Sequence, residues 1–332
     1  MRKVVLVPGD GIGPEIVASA LRVIEASGAK IEWERVEAGK KVLEETGRTI
    51  PPKFFDMAME TGVVLKGPVA TPVGGGFRSI NVMIRQRLNL FANVRLVKSF
   101  PGVKALHEGV DMVVVRENTE GLYAGIERES SIGTVETVKV TSAEASERIG
   151  RFAFDYAEAH GRKLVTAVHK ANILKKGDGL FLKSVAAVAP QYPGIEFNDM
   201  MVDNAVFQLV TNPKQFDVIV TQNLYGDIIS EMCAGLIGSL ALVPGANFGD
   251  NLALFEAAHG SAPMIAGKGI ANPTGVILSA AWMLDYIGLS AESKSIVTAV
   301  RRVLGEGKVL PQDMGGSATT QEYTEALIST LV

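Results

Sequence analysis

The chain has 332 residues, 47% of them hydrophobic, enough apolar material for a large core shared by about two domains. Its 33 basic and 36 acidic residues nearly cancel, with no basic tract for nucleic acid and no polybasic segment for an anionic membrane. No apolar run approaches the roughly 20 residues that span a bilayer, and the short run after Met1-Arg2-Lys3 stops at Pro8-Gly9 without a small-residue cleavage site. A cytoplasmic protein is expected, though a trimmed organellar protein would read the same way. The single cysteine, Cys233, excludes a disulfide framework and reads as a small core residue in a reducing compartment.

Residues 4–7 read as a buried parallel strand closed by Pro8 and Gly9. Pro14 then suits the start of a helix that buries Ile16, Val17, Ala20, Val23 and Ile24 at helical spacing. Residues 112–115 are strand-like. Residues 131–140 alternate β-branched and polar side chains, as a two-faced antiparallel strand does; an arm pairing with another chain and a solvent-covered hairpin fit it equally. Thr141-Ser142-Ala143-Glu144 has the form of a capping box, opening a helix that buries Ile149, Phe152, Ala153 and Tyr156. Residues 164–168 and 218–220 are further short apolar strands followed by helical patterns. This alternation predicts an α/β fold.

Several motifs carry chemistry. Gly9-Asp10-Gly11-Ile12-Gly13 sits between strand and helix, but its spacing is one residue short of the Rossmann dinucleotide fingerprint. The run Thr71-Pro72-Val73-Gly74-Gly75-Gly76-Phe77-Arg78-Ser79-Ile80-Asn81 exposes backbone N–H groups and then offers two short polar side chains. Arg85, Arg95 and Arg116 follow, and guanidinium groups grip a substrate with several carboxylates in bidentate fashion. Asp227 and Glu231 stand four apart, on one face of a helix, with Asp203 upstream; carboxylates so placed suit Mg²⁺ or Mn²⁺, although a solvated acidic face is the ordinary explanation. Lys170, at the end of a predicted strand, fits either base chemistry or a structural ion pair.

Together these segments resemble the β-decarboxylating dehydrogenases that act on isocitrate, homoisocitrate and 3-isopropylmalate. The resemblance runs nearly the full chain. GDGIGPEI at 9–16, TPVGGGFRSIN at 71–81, RENTEGLYAG at 116–125, HKANI at 169–173, NLYGDIISE at 223–231, FEAAHGSAP at 255–263 and ANPT at 271–274 carry it.

The resemblance implies an isopropylmalate-dehydrogenase-like α/β fold, not a Rossmann fold. Residues 1–90 and 238–332 would form a large domain and 91–237 a small one, with an arm over about 121–142 clasping a second subunit. It implies Tyr123 and Lys170 as the acid–base pair, and Thr71, Ser79, Asn81, Arg85, Arg95 and Arg116 around the substrate. Asp203, Asp227 and Glu231 would be the ligands of Mg²⁺ or Mn²⁺. Lys170 and Asp203 would serve the neighbouring subunit, making a homodimer a catalytic requirement. The nicotinamide cofactor would lie against Ile12, Thr71, His259, Gly260, Ser261, Ala262, Pro263, Met264, Ile265 and Asn272. Ser79 with Asn81 matches isocitrate enzymes, where isopropylmalate enzymes carry apolar side chains; homoisocitrate is the nearest alternative substrate. Two positions depart from the family. NAD-using members commonly carry Asp where this chain has Met264, and nothing at Met264 could neutralise the 2′-phosphate of NADP, so NAD is expected over NADP. Glu231 stands where Asp is usual, which questions its direct metal contact. The alternative from another functional class is then a non-catalytic, regulatory subunit.

Overall fold

The computed structural model describes residues 2–70 and 79–331. Its first half runs β1 (Arg2–Val7), α1 (Gly13–Ala26), β2 (Ile31–Arg35), α2 (Lys40–Thr46), α3 (Lys53–Thr61), β3 (Val63–Lys66), α4 (Ile80–Arg87), β4 (Ala92–Lys98), β5 (Asp111–Glu117), β6 (Gly121–Ser131), β7 (Thr134–Val140) and α5 (Ala143–Ala159). There follow β8 (Leu164–His169), α6 (Gly177–Val188), β9 (Glu196–Met201), α7 (Val202–Thr211), β10 (Val218–Thr221), α8 (Asn223–Leu236), β11 (Pro244–Phe248), β12 (Ala253–Ala257), α9 (Thr274–Tyr286), α10 (Ser290–Glu306) and α11 (Thr320–Ile328).

One ten-stranded sheet takes the order β2-β1-β3-β12-β11-β4-β5-β10-β8-β9. Its two flanks are parallel, while β11 pairs antiparallel with β12 and β4, and β4 antiparallel with β5. Helices cover both faces, so inner strands such as β1, β5 and β10 are largely apolar on both sides, while the edge strands β2 and β9 stay polar and partly exposed. On β1, Val4 and Leu6 join a core with Ile16, Val17, Ala20, Val23 and Ile24 of α1, while Val5 and Val7 pack with Phe54, Phe55 and Ala58 of α3. On β5, Met112 and Val114 face that first core and Val113 and Val115 face α5 and α6.

The centre of the sheet is different. Register sets Lys66, Glu256, Gly245 and Arg95 in one row across β3, β12, β11 and β4, and Asn247, Asn93 and Arg116 in the next. Residues two apart share a face, so both rows present polar groups on the same side. This polar strip positions the candidate site.

One local expectation is narrowed and two need correction. The strand expected over 131–140 is the second half of a hairpin: β6 runs to Ser131, the chain turns at Ile132-Gly133, and β7 starts at Thr134 as a separate two-stranded sheet. Helix α5 is capped by Ser142, whose Oγ accepts from the Ala145 N–H at 3.1 Å, while the Thr141 hydroxyl instead accepts from Gln222 Nε2. Its buried stripe is Ile149, Ala153, Phe154 and Ala157, with Phe152 and Tyr156 only half-buried at the edge.

Candidate active site

Arg116 ends β5 and is buried at the mouth of the polar strip. Asn223 opens α8 and accepts from Arg116 Nε at 2.9 Å and Nη2 at 2.6 Å, while Arg116 Nη1 pairs with Asp227 one turn later. The Tyr123 hydroxyl, from β6, donates to the other oxygen of Asp227, and the Arg116 guanidinium lies 5.1 Å from the Tyr123 ring centroid. Backbone contact makes this possible. A Cβ on Gly226 would stand 2.6 Å from Arg116 Cγ, so only glycine lets α8 approach β5 this closely.

Electrostatics follow the geometry. Burial lowers the Arg116 pKa, with Arg85 adding to the effect. Burial pushes Asp227 up, but Arg116, the Tyr123 donation and Arg85 outweigh it and hold the carboxyl below its ordinary value. Burial, then the bond to Asp227, raises Tyr123, which keeps its proton on the phenol.

Arg95 is the second buried guanidinium, its pKa lowered to about 10 chiefly by burial. Its Nη1 has no hydrogen-bond partner among the described residues. A Cβ on Gly245 would fall 1.6 Å from that nitrogen, so the guanidinium occupies the place a side chain would take. Glu256 supports the strip from below. It pairs with Lys66 Nζ at 2.6 Å, accepts from Asn247 Nδ2 at 2.8 Å and lies 3.4 Å from Arg85 Nη2. Asn81, on α4, has a buried Oδ1 without a partner among the described residues, and Ser79 is the N-cap residue of the same helix, with no side-chain capping bond among them. Thr71, with the glycine run 71–78, lies outside the described residues. The structure therefore gathers Arg85, Arg95, Arg116, Tyr123 and Asp227.

Glu231 sits one turn beyond Asp227 on α8, and its pKa is raised by burial and then by the Asp227 charge. Asp203, in the first turn of α7, instead pairs with Lys170 Nζ at 2.5 Å. Among the described residues, no three carboxylate, imidazole or thiol groups of this chain converge as a metal centre. Asp227 and Glu231 supply hard oxygen donors of the kind that suit Mg²⁺ or Mn²⁺.

The expected cofactor segments also meet. The Ile12 N–H donates to Ser261 O at 2.9 Å, docking the glycine turn against the 259–265 loop. Asp10 fixes that turn by accepting from the backbone N–H groups of Lys40 at 3.0 Å and Ala70 at 2.8 Å. His259 has a buried Nε2 with no partner among the described residues, and burial lowers its pKa. Gly260 and Pro263 are exposed, Ala262 takes φ +36°, Met264 is 82% exposed and Ile265 folds back on the core. A non-glycine residue in the left-handed region marks backbone held by its surroundings, a feature that clusters at ligand sites. Asn272 donates to Asp313 and accepts from the Thr274 hydroxyl at 2.6 Å. The orphaned imidazole nitrogen beside an open loop fits a nucleotide with hydrogen-bonding edges.

Sequence reading missed Asn223, Glu256, Lys66 and Asn247. Asn223 and Glu256 lay inside motifs already singled out, so a hydrogen-bond inventory of those motifs would have raised both. Nothing in the sequence pairs Lys66 with Glu256, which meet only through the sheet register.

A family model described as isocitrate/isopropylmalate dehydrogenase matches residues 3–327. The chain belongs to that family. A mitochondrial NAD isocitrate dehydrogenase catalytic subunit 5 of Arabidopsis thaliana is 47% identical over 97% of this chain and 86% of its own length. A mitochondrial NAD isocitrate dehydrogenase regulatory subunit from Dictyostelium discoideum is 48% identical over 99% of this chain and 91% of its own. Among solved structures, isocitrate dehydrogenase from Methylococcus capsulatus superposes with a TM-score of 0.96 at 48% identity, covering 99% of both chains. The fold is thus the α/β fold of this family, as expected. The mitochondrial names of the relatives give the cytoplasmic expectation no support. Among the described residues no helix is long and apolar enough to cross a membrane.

Proposed function

We propose that the chain is a catalytic, metal-dependent, NAD-linked isocitrate dehydrogenase that forms 2-oxoglutarate and carbon dioxide. One observation carries the reading: buried Arg95 offers an Nη1 that has no hydrogen-bond partner among the described residues, beside Arg85, Arg116 and Asp227, with Tyr123 on Asp227. A buried donor left unmade costs about 1–3 kcal/mol, which a substrate carboxylate would recover. Ser79 and Asn81 add polar groups that suit a third carboxylate better than an apolar substituent. The regulatory reading draws on Glu231 and on the Dictyostelium relative.

Asp227 and Glu231, completed by Asp203 from a second copy of the chain, would hold Mg²⁺ or Mn²⁺. When bound, such a cation polarises the substrate hydroxyl and the carbonyl that replaces it, and NAD supplies the hydride acceptor. Arg85, Arg95 and Arg116 fix the carboxylates. Lys170 of the second copy takes the hydroxyl proton as hydride leaves the same carbon. Loss of the β-carboxylate as carbon dioxide then leaves an electron pair on carbon, and the phenol of Tyr123 delivers a proton there. Tyr123 is suited to this because burial and Asp227 keep it protonated.

The shared site requires a homodimer. Phe207 and Val210 on α7 and Ile228 on α8 are exposed on two helices that pack together, and the hairpin exposes Val135 and Val138. Apolar groups so displayed suit an interface with another copy. Met264 lacks any cation for a 2′-phosphate, favouring NAD over NADP.

The test follows reduced-cofactor absorbance with isocitrate, homoisocitrate and 3-isopropylmalate, each with NAD and NADP, with and without a chelator. Fast, chelator-sensitive oxidation of isocitrate with NAD is expected. Activity confined to another substrate would overturn the Ser79 argument, and silence throughout would favour the regulatory reading.

A further inference from the structure

Asp178, in the first turn of α6, has a fully buried carboxylate that no step above uses. Its Oδ2 accepts from the backbone N–H of Lys170 at 2.8 Å and from the Tyr225 hydroxyl at 3.1 Å. Its Oδ1 accepts from Lys139 Nζ at 2.5 Å, and the same ammonium donates to Gln222 Oε1 at 2.7 Å. A buried carboxylate requires a compensating charge, and Lys139 supplies it from β7.

The chain between the two residues is a closed turn. The N–H groups of Ile173 and Leu174 return to Lys170 O at 3.0 and 2.9 Å, and the Asp178 N–H returns to Leu174 O at 2.9 Å. The Asp178 side chain then reaches back to the Lys170 N–H and locks the start of the turn. Lysine is a point charge on a flexible four-carbon stem. Its tip can be placed only if the backbone that bears it is held, and here the Asp178 carboxylate takes its N–H while the turn takes its C=O.

We propose that Asp178 is a positioning residue for Lys170, fixing the backbone from which that lysine reaches the active site of a second subunit. Lys139 and Tyr225 hold the carboxylate in place for this task. The inference rests on the reading that Lys170 serves a neighbouring subunit.

Hybrid dimers of two differently tagged copies test both statements separately. A Tyr123→Phe chain paired with a Lys170→Ala chain contains one site with every group intact if sites are shared, and should regain activity that neither homodimer has. Without that gain the shared-site reading fails and the proposal falls with it. Next, an Asp178→Asn chain is paired with a Lys170→Ala chain, so that the surviving site takes its lysine from the Asp178→Asn copy. Relative to wild type paired with Lys170→Ala, kcat should fall about ten- to a hundredfold, the scale of a misplacement near 1 Å, with KM for isocitrate little changed. In the reverse hybrid, Asp178→Asn and Lys170→Ala lie on one chain opposite a wild-type chain, and turnover should be retained. An undiminished first hybrid, or equal losses in both, would overturn the proposal, because general loosening of the fold does not care which chain lends the lysine. If Asp178→Asn alone does not fold, Asp178→Asn with Lys139→Met also removes the orphaned cation and carries the same comparison.

Discussion

Lys66 and Lys170 each reach a carboxylate at nearly the same distance, 2.6 Å to Glu256 and 2.5 Å to Asp203, yet the two pairs live in opposite surroundings. The side chains of the first pair are 2% and 7% exposed; those of the second are 26% and 65% exposed. Inside the sheet, Lys66 and Glu256 are a scaffold, joined by Asn247 and Arg85 and set beneath the Arg95 guanidinium. At the surface, Lys170 and Asp203 hold each other where water can replace either partner, so both can be lent to another chain. Distance alone does not rank an ion pair. Burial decides whether it supports the fold or is available for chemistry.

The largest effect that could break this contrast is kinetic. Lys170→Ala should cut isocitrate turnover about 10²–10⁴-fold, the usual worth of general acid–base help, with the thermal midpoint unmoved. A lowered midpoint with activity retained would make the exposed pair structural after all. Lys66→Met should do the reverse, stranding a buried charge at a cost of about 3–5 kcal/mol in a denaturant titration. Stability unchanged by Lys66→Met would remove the distinction from the other side.

A subtler measurement sharpens it through pH. Burial pushes Glu256 up, but Lys66, Arg85 and Arg95 more than reverse this and hold the carboxyl far below its ordinary range. Below the ordinary glutamate value of about 4.3, the unfolded chain takes up a proton that the folded chain refuses. The stability Glu256 contributes is therefore complete above that pH and drains away as acid is added. In Glu256→Gln the acid limb of stability should be shallower, whereas Asp203→Asn should alter it less. Smallest of all, Met264→Asp, on the exposed cofactor loop, should tighten NAD by about tenfold or less through charge-assisted bonds to ribose hydroxyls. Its folding stability should not change, and an unchanged NAD constant would place the ribose elsewhere.

What could be read from the sequence divides along similar lines. The strand at residues 4–7 and the helix with Pro14 in its first turn followed from local pattern, and the structure agrees. The placing of Arg116, Tyr123 and Asp227 in one site was implied only by the family resemblance, and the structure brings the three into contact. Caps were less legible. Thr141 and Ser142 both suit an N-cap, and the choice fell to Ser142 because Gln222, distant in sequence, engages Thr141. The true capping box, Thr319 with Glu322, went unread because the helix it opens is short. Asp178 and Lys66 were invisible for a deeper reason. A charged residue announces burial only through its partners, and theirs come from other strands and helices, brought alongside by the register of the sheet.

Gly245 gives the Arg95 arrangement a further meaning. Since the guanidinium fills the room that a Cβ would claim, position 245 acts as a mechanical stop for the substrate clamp. A methyl group there would displace Arg95 while leaving its charge on the chain, with a tight 3.0 Å approach to the Glu256 carbonyl as well. Under the proposed function, Gly245→Ala thus moves one arm of the carboxylate clamp with its charge retained, which substitution of Arg95 itself does not do.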